Sequence, residues 1–107
     1  MQVPMAVLKQ REIEKGVATV EREFRRDIVR IRYDLGTDWS GDWAIYFRIL
    51  LSDEASRDSR LHHVAERVRR VRKRLREKIK PEEHGVLPYF NFRSESEQAE
   101  LQEEVWA

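Results

Sequence analysis

The fold of this chain is organised around residues 57–80, RDSRLHHVAERVRRVRKRLREKIK, which Pro81 follows directly. Apolar residues recur there at spacings of three and four: Leu61, Val64, Val68, Val71, Leu75 and Ile79. This spacing predicts an amphipathic helix with one apolar stripe for packing. Pro81 predicts where the helix ends, because proline cannot continue the helical hydrogen-bond ladder.

The remaining faces of this predicted helix are strongly basic. Residues 57–80 contain eleven Lys or Arg against three acids, a local net charge of +8, whereas the chain of 107 residues nets only +1. Positive charge is therefore concentrated on one element. Such a helix is typical of proteins that bind a phosphate backbone, but a solvated helix or one that pairs with acidic surfaces shows the same pattern.

In the chain before this predicted helix, apolar residues recur with a period of about 2 residues, typical of a strand, instead of the period of about 3.6 residues typical of a helix. Val29, Ile31, Tyr33 and Leu35 alternate with Arg30, Arg32 and Asp34. After the turn-forming residues 36–42, a second run places Trp43, Ile45, Phe47, Ile49 and Leu51 on one face and Ala44, Tyr46, Arg48 and Leu50 on the other. Two alternating runs joined by a Gly- and Asp-rich loop predict an antiparallel hairpin.

The flanking segments complete the pattern. From about Glu12 onward, Ile13, Val17, Val20 and Phe24 predict a first helix, in which Gly16 is expected to weaken the first turns. Residues 1–10 are expected to be a loose arm or a short strand. Residues 86–93 predict a third strand, and Ser94 with Glu97 predicts the capped start of a short helix within the acidic segment 94–107.

These elements predict one α+β domain over residues 1–107, in the order α-β-β-α-β-(α). It is a two-layer fold, with a three-stranded sheet (the hairpin plus one crossover strand) and helices on one face. The long helix allows the third strand to run parallel to the second. The other sheet face is then expected to be open, and it carries Arg30, Arg32, Tyr46, Arg48 and part of the set Tyr89, Asn91 and Arg93.

The composition and the absence of known motifs exclude several classes of function. No cysteine is present, which excludes disulfides, thiolate nucleophiles and cysteine-based metal sites. No apolar run approaches the length of a membrane span, so we expect a cytoplasmic protein without a membrane partner. The residues show no catalytic arrangement, cofactor motif or small-molecule site, and we expect a protein that is not an enzyme.

Asp34, Asp38 and Asp42 recur every four residues around the hairpin loop. Their spacing does not match a calcium-binding loop, whose acids alternate and end on a distant Glu. Asp side chains in turns commonly accept hydrogen bonds from the backbone two residues on. We therefore predict turn hydrogen bonds here and no metal site.

The first functional hypothesis is a non-enzymatic module that binds nucleic acid, with RNA favoured over DNA. The predicted contacts are Arg67, Arg69, Arg70, Arg72, Lys73, Arg74 and Arg76 on the helix, with Arg30, Arg32 and Arg48 as a second patch. Arginine dominates lysine in this set, which favours bidentate phosphate contacts. Arg70, Lys73 and Arg74 are the residues on which this hypothesis depends most.

The alternative is a protein-interaction or accessory subunit, such as an antitoxin-like partner or a homodimer. It would use the open sheet face and tryptophans expected to be exposed, and its predicted contacts are Trp39, Trp43, Tyr46, Tyr89 and Trp106. Large exposed aromatics commonly mark docking surfaces. The sequence leaves open which hypothesis holds and whether the acidic segment 94–107 covers the basic helix.

An arginine-rich helix followed by residues 88–94, PYFNFRS, is similar to the KH-like arrangement of ribosome-binding factor A proteins. The resemblance covers the element order and the strand that ends in serine, over about half the chain. The chain departs from that pattern in lacking a Gly-x-x-Gly loop and a glycine break in the helix, and Arg93 stands where an acid is expected. The resemblance implies a shared topology of a small RNA-associated domain, and topology alone does not establish function.

Overall fold

The computed structural model describes residues 3–57 and 61–107, without the side chains of residues 61 and 62. Its α-helices are α1 (Met5–Leu8), α2 (Gln10–Glu23), α3 (Asp53–Ser56), α4 (Leu61–Ile79) and α5 (Glu95–Leu101), and its strands are β1 (Ile28–Thr37), β2 (Trp43–Leu51) and β3 (Leu87–Ser94). Short 3₁₀ helices cover Pro81–His84 and Glu104–Trp106. This order confirms the predicted α+β class.

The strands form one sheet in the order β1-β2-β3. β1 pairs with β2 antiparallel, with Ile31 opposite Ile49, and β3 pairs with β2 parallel, with Phe90 opposite Phe47. The predicted hairpin and the parallel third strand are both confirmed. The crossover between β2 and β3 contains α4, since parallel neighbours need a long connection.

The core lies between the sheet and the helices α2 and α4. The apolar stripe of α4 enters it as predicted: Val71, Leu75 and Ile79 are buried. Val64 and Val68 are half-buried, and the side chain of Leu61 lies outside the described part of the chain, as do residues 58–60 of the predicted helix. α4 ends at Ile79, two residues before Pro81.

One expectation for the N-terminal region is wrong. Residues 5–8 form α1 instead of a loose arm, because Ala6 is fully buried in the core. α2 begins at Gln10, and Gly16 lies against the C-terminal end of α4. A Cβ atom at Gly16 would be 3.0 Å from Ile79 Cγ1. Glycine therefore costs helix propensity at this position but allows the two helices to pack together.

The predicted alternation of β1 is wrong at its first residues. Ile28 is buried, whereas Val29 is 41% exposed. The pairing register shifts between Ile28 and Arg30, which is the mark of a β-bulge. One extra residue reverses which side chains face the core, so Ile28 takes the place predicted for Val29. From Ile31 onward the predicted faces are correct.

The second sheet face is not fully open, because the C-terminal segment docks on part of it. The Nε–H of Arg30 donates to the carbonyl oxygen of Trp106 (2.8 Å), and that of Arg32 donates to the carbonyl oxygen of Ala107 (2.7 Å). The Arg93 guanidinium lies 4.4 Å from the Trp106 ring centroid. Trp106 is only 6% exposed, so its predicted exposure is wrong: the indole packs within the protein itself.

The start of the C-terminal segment follows the sequence prediction. Ser94 and Glu97 form a capping box, in which each side chain accepts a hydrogen bond from the other residue's backbone N–H. Of the acidic residues in this segment, Glu103 pairs with Arg93 (2.9 Å) on the second sheet face. Within the described residues, no ion pair joins 94–107 to the basic helix.

Candidate nucleic-acid interface

An open groove of about 700 Å³ separates the end of α2 from the middle of α4. α2 ends at Glu23, and a tight turn leads into β1, in which the Phe24 carbonyl oxygen accepts from the backbone N–H groups of Asp27 and Ile28. The turn forms one wall and α4 the other. The lining residues are Arg22, Glu23, Phe24, Arg25, Arg26, Asp27, Arg70, Lys73, Arg74 and Glu77.

The acids of the groove are each held by an arginine. Arg74 Nη2 lies 2.8 Å from a Glu23 carboxylate oxygen, and Arg74 Nη1 lies 2.9 Å from Glu77. The hydrogen bond from Arg74 lowers the pKa of Glu23, so this carboxylate stays ionised and paired. Asp27 lies 3.4 Å from the Nε of Arg67. Arg74 thus ties α2 to α4 and offsets one of the two negative charges of Glu23 and Glu77.

The remaining cations of the groove face solvent. They are Arg22, Arg25, Arg26, Arg70 and Lys73, all exposed and all without an ion pair within the described residues. They come from both walls, three from the end of α2 and its turn and two from α4. The groove therefore has a positive excess that is available to an anionic ligand.

Phe24 supplies an apolar surface among these charges. Its side chain is half-buried and packs against the core on one side. The guanidinium carbon of Arg70 lies 5.9 Å from the ring centroid on the groove side. Aromatic rings beside arginines are a recurring arrangement where proteins bind nucleic acids.

The structure brings only part of the predicted helix set into the groove. Arg70, Lys73 and Arg74 line it, although Arg74 is occupied by two carboxylates. Arg67 instead donates to the carbonyl oxygen of Ala55 (2.8 Å) beside its contact with Asp27. Arg72 and Arg76 lie over the Phe90 ring, at 5.9 Å and 5.5 Å, and Arg69 is exposed without lining the groove.

The predicted second patch lies on the opposite sheet face and is held by internal contacts. Arg30 and Arg32 anchor the C-terminal segment, and Arg48 forms an ion pair with Asp34. These three residues are therefore separate from the groove. Their guanidinium groups stabilise the second face and the segment docked on it.

The aromatic residues predicted to bind a partner have different environments. Tyr46 and Tyr89 stack on each other, with ring centroids 5.3 Å apart. Trp43 is half-buried and packs against the core, so only part of its side chain is available to a partner. Trp39, at the tip of the hairpin loop, is 94% exposed.

The hairpin loop is held by Asp38, which confirms the predicted turn hydrogen bonds at this residue. One carboxylate oxygen accepts from the backbone N–H groups of Ser40 and Asp42 and from the Ser40 hydroxyl (2.7 Å). The other accepts from the Tyr89 hydroxyl (2.8 Å). These bonds connect the loop to β3 and fix its shape.

Asp38 is expected to titrate far below an ordinary aspartate. The Ser40 hydroxyl first, and then the Tyr89 hydroxyl, lower the pKa of Asp38 from 3.8 to about 2. Because the folded pKa is depressed, the stabilisation is fully present above about pH 4 and is lost as the pH falls through about 2. Replacing Ser40 with Ala should raise the midpoint, measured by carbon NMR of the side-chain carboxyl. A wild-type midpoint near 3.8, or an unchanged one in the variant, would contradict this.

Sequence reasoning did not place four residues in the groove: Arg22, Phe24, Arg25 and Arg26. They form a visible run, REFRR over residues 22–26, at the C-terminal end of the helical periodicity. Three arginines within five residues beside an aromatic were a usable signal. What the sequence could not supply was that this run lies opposite Arg70 and Lys73.

Comparison of the chain with known protein families, with curated proteins and with solved structures finds no significant match. The resemblance to ribosome-binding factor A proteins is therefore not supported by a family match. Within the described residues, no helix is long and apolar enough to cross a membrane.

Proposed function

We propose that this protein is a small binding module that holds the backbone of a nucleic acid in the groove between α2 and α4. The observation that carries the proposal is that five exposed cations, none of them ion-paired with another described residue, converge on one concave surface, while the acids there are already paired. Each phosphate that such a site neutralises releases condensed counterions, and this release drives association.

The cations of the groove are suited to holding phosphate groups. Four of the five available cations are arginines, which remain protonated throughout the physiological range. Arginine also matches phosphate oxygens bidentately. RNA is the first polymer to test, because its loops expose unpaired nucleotides to proteins.

A second candidate function rests on Trp39. A large apolar side chain that is 94% exposed on a loop with fixed hydrogen bonds has the character of an interface anchor. Asp38 and Asp42 flank it, and their negative charge opposes a phosphate backbone. This loop therefore favours a protein partner with a basic rim, and it lies on a different part of the molecule from the groove residues.

The test is direct titration of a fluorescently labelled single-stranded RNA with the wild-type protein at several salt concentrations. We expect anisotropy to rise with protein, and affinity to fall steeply between about 50 mM and 200 mM salt. Trp39→Ala should bind as wild type does, since Trp39 is not among the groove residues. Absence of RNA and DNA binding at low salt would contradict the proposal, and loss of binding in Trp39→Ala would move the site to the hairpin loop.

A further inference from the structure

We infer that the ligand of the groove is a single-stranded nucleic acid, one of whose bases stacks on the ring of Phe24. This inference rests on the proposed function. It adds to it that the ligand is single-stranded and that Phe24 is the residue on which a base stacks. The deciding feature is an aromatic ring on the groove surface, placed between cations from two walls.

The shape of the site favours a strand whose bases are unpaired. A duplex presents a convex rod of phosphates and keeps the faces of its bases inside the stack. A concave groove that offers a ring face adds nothing to duplex binding beyond charge. Proteins that bind single strands combine a positively charged groove with aromatic side chains on which bases stack, which is the combination found here.

The backbone around Phe24 is fixed, so its ring needs little ordering when a ligand binds. The Phe24 N–H donates to the carbonyl oxygen of Val20 (3.1 Å), and the Phe24 carbonyl oxygen accepts from Asp27 (2.8 Å) and Ile28 (2.7 Å). The side chain packs on the core at the same time. A surface organised before binding loses less entropy on association.

Arg70 lies beside the place where a base would stack. Its guanidinium carbon is 5.9 Å from the Phe24 ring centroid. Arg70 is exposed and has no ion pair within the described residues, so an incoming base can displace it from the ring. The displaced guanidinium can then pair with a phosphate or cover the outer face of the base, as arginines do in single-strand sites.

The tyrosines of the second sheet face are less suited to this role. Tyr46 and Tyr89 already stack on each other, and their hydroxyls donate to Thr37 and Asp38. The nearby Arg48 is paired with Asp34. The stacked faces of these two tyrosines are covered by each other, and the Arg48 guanidinium is already paired with a carboxylate. This cluster therefore offers less for stacking a base or contacting a phosphate than the groove does.

The experiment compares three probes: a mixed-sequence RNA of roughly twenty nucleotides without self-complementarity, the duplex it forms with its complement, and inorganic polyphosphate, which has the charge but no bases. Binding is measured by calorimetry for the wild type, Phe24→Leu, Phe24→Tyr and Phe90→Leu. Phe90 is the matched control, because it is a half-buried ring under Arg72 and Arg76 that does not line the groove.

Wild type should bind the single strand more tightly than the duplex. Phe24→Leu should weaken single-strand binding roughly ten-fold and leave polyphosphate binding unchanged, while Phe24→Tyr and Phe90→Leu should match wild type. Equal wild-type affinity for duplex and single strand, an unchanged affinity in Phe24→Leu, or an equal loss for polyphosphate would each overturn the inference. If wild type binds neither nucleic acid, the proposed function itself fails, and that outcome is distinct from these.

Discussion

Replacing Phe47 with Ala is expected to lower the free energy of unfolding by about 3–5 kcal/mol. Phe47 is fully buried at the middle of the central strand, opposite Tyr33 on β1 and Phe90 on β3. Its ring stacks on Phe90 with centroids 5.3 Å apart. Truncation leaves a cavity where the sheet meets the helices, and a domain of this size is stabilised by only about 5–15 kcal/mol in total.

The matched control for Phe47→Ala is Val29→Ala. Simple alternation puts Val29 in the core, but the bulge turns it outward to 41% exposure. Truncation of a surface side chain of this kind should change stability by no more than about 0.5 kcal/mol. Chemical denaturation followed by circular dichroism measures both variants. A loss in Val29→Ala as large as that in Phe47→Ala would contradict the bulge and the register of β1.

The double variant Arg70→Glu/Lys73→Glu is expected to lose at least about 100-fold in RNA affinity. A hydrogen bond to a charged group contributes about 1.5–3 kcal/mol, and each tenfold change in affinity corresponds to about 1.4 kcal/mol. Losing two such contacts and adding two negative charges beside the phosphates gives this magnitude. Both side chains are exposed, so the fold should be retained.

The control for this variant makes the same change in net charge at two residues that do not line the groove. Arg11 and Lys15 are exposed on the first half of α2 and do not line the groove. Arg11→Glu/Lys15→Glu therefore alters the net charge by the same amount without touching the site. Equal losses of affinity in the two double variants would show that net charge alone, and not the groove, attracts RNA.

Much of the fold could be predicted because its signals are local. The alternation of residues 43–51 identifies the central strand, and the spacing of Val71, Leu75 and Ile79 identifies the buried face of α4. Ser94 and Glu97 form their capping box within one helical turn. In these cases, interactions between residues close in sequence are sufficient to determine the local structure.

The errors arose where distant residues decide the outcome. Trp106 is buried because Arg30 and Arg93 meet it on the second sheet face, and no local pattern indicates that contact. The bulge at Val29 interrupts an alternation that reads as regular. α1 is helical because Ala6 has a place in the core, which overrides the irregular sequence around Pro4.

The groove was only partly predictable for the same reason. The positive charge of α4 is obvious in the sequence. The sequence does not show which of its arginines form ion pairs within the protein and which are available to a ligand. Arg74 pairs with Glu23, 51 positions away, and this leaves Arg70 and Lys73 as the available cations of α4 in the site. The opposite wall, residues 22–26, becomes part of the site only when α2 and α4 pack side by side.

The most direct test of the groove as the binding site is the slope of log affinity against log salt concentration for single-stranded RNA. Each phosphate contact contributes roughly −0.7 to this negative slope for a single strand. Removing two cations should therefore make the slope shallower by about 1.4. We predict this reduction in Arg70→Glu/Lys73→Glu and an unchanged slope in Arg11→Glu/Lys15→Glu. A wild-type slope retained in the groove variant would contradict the account.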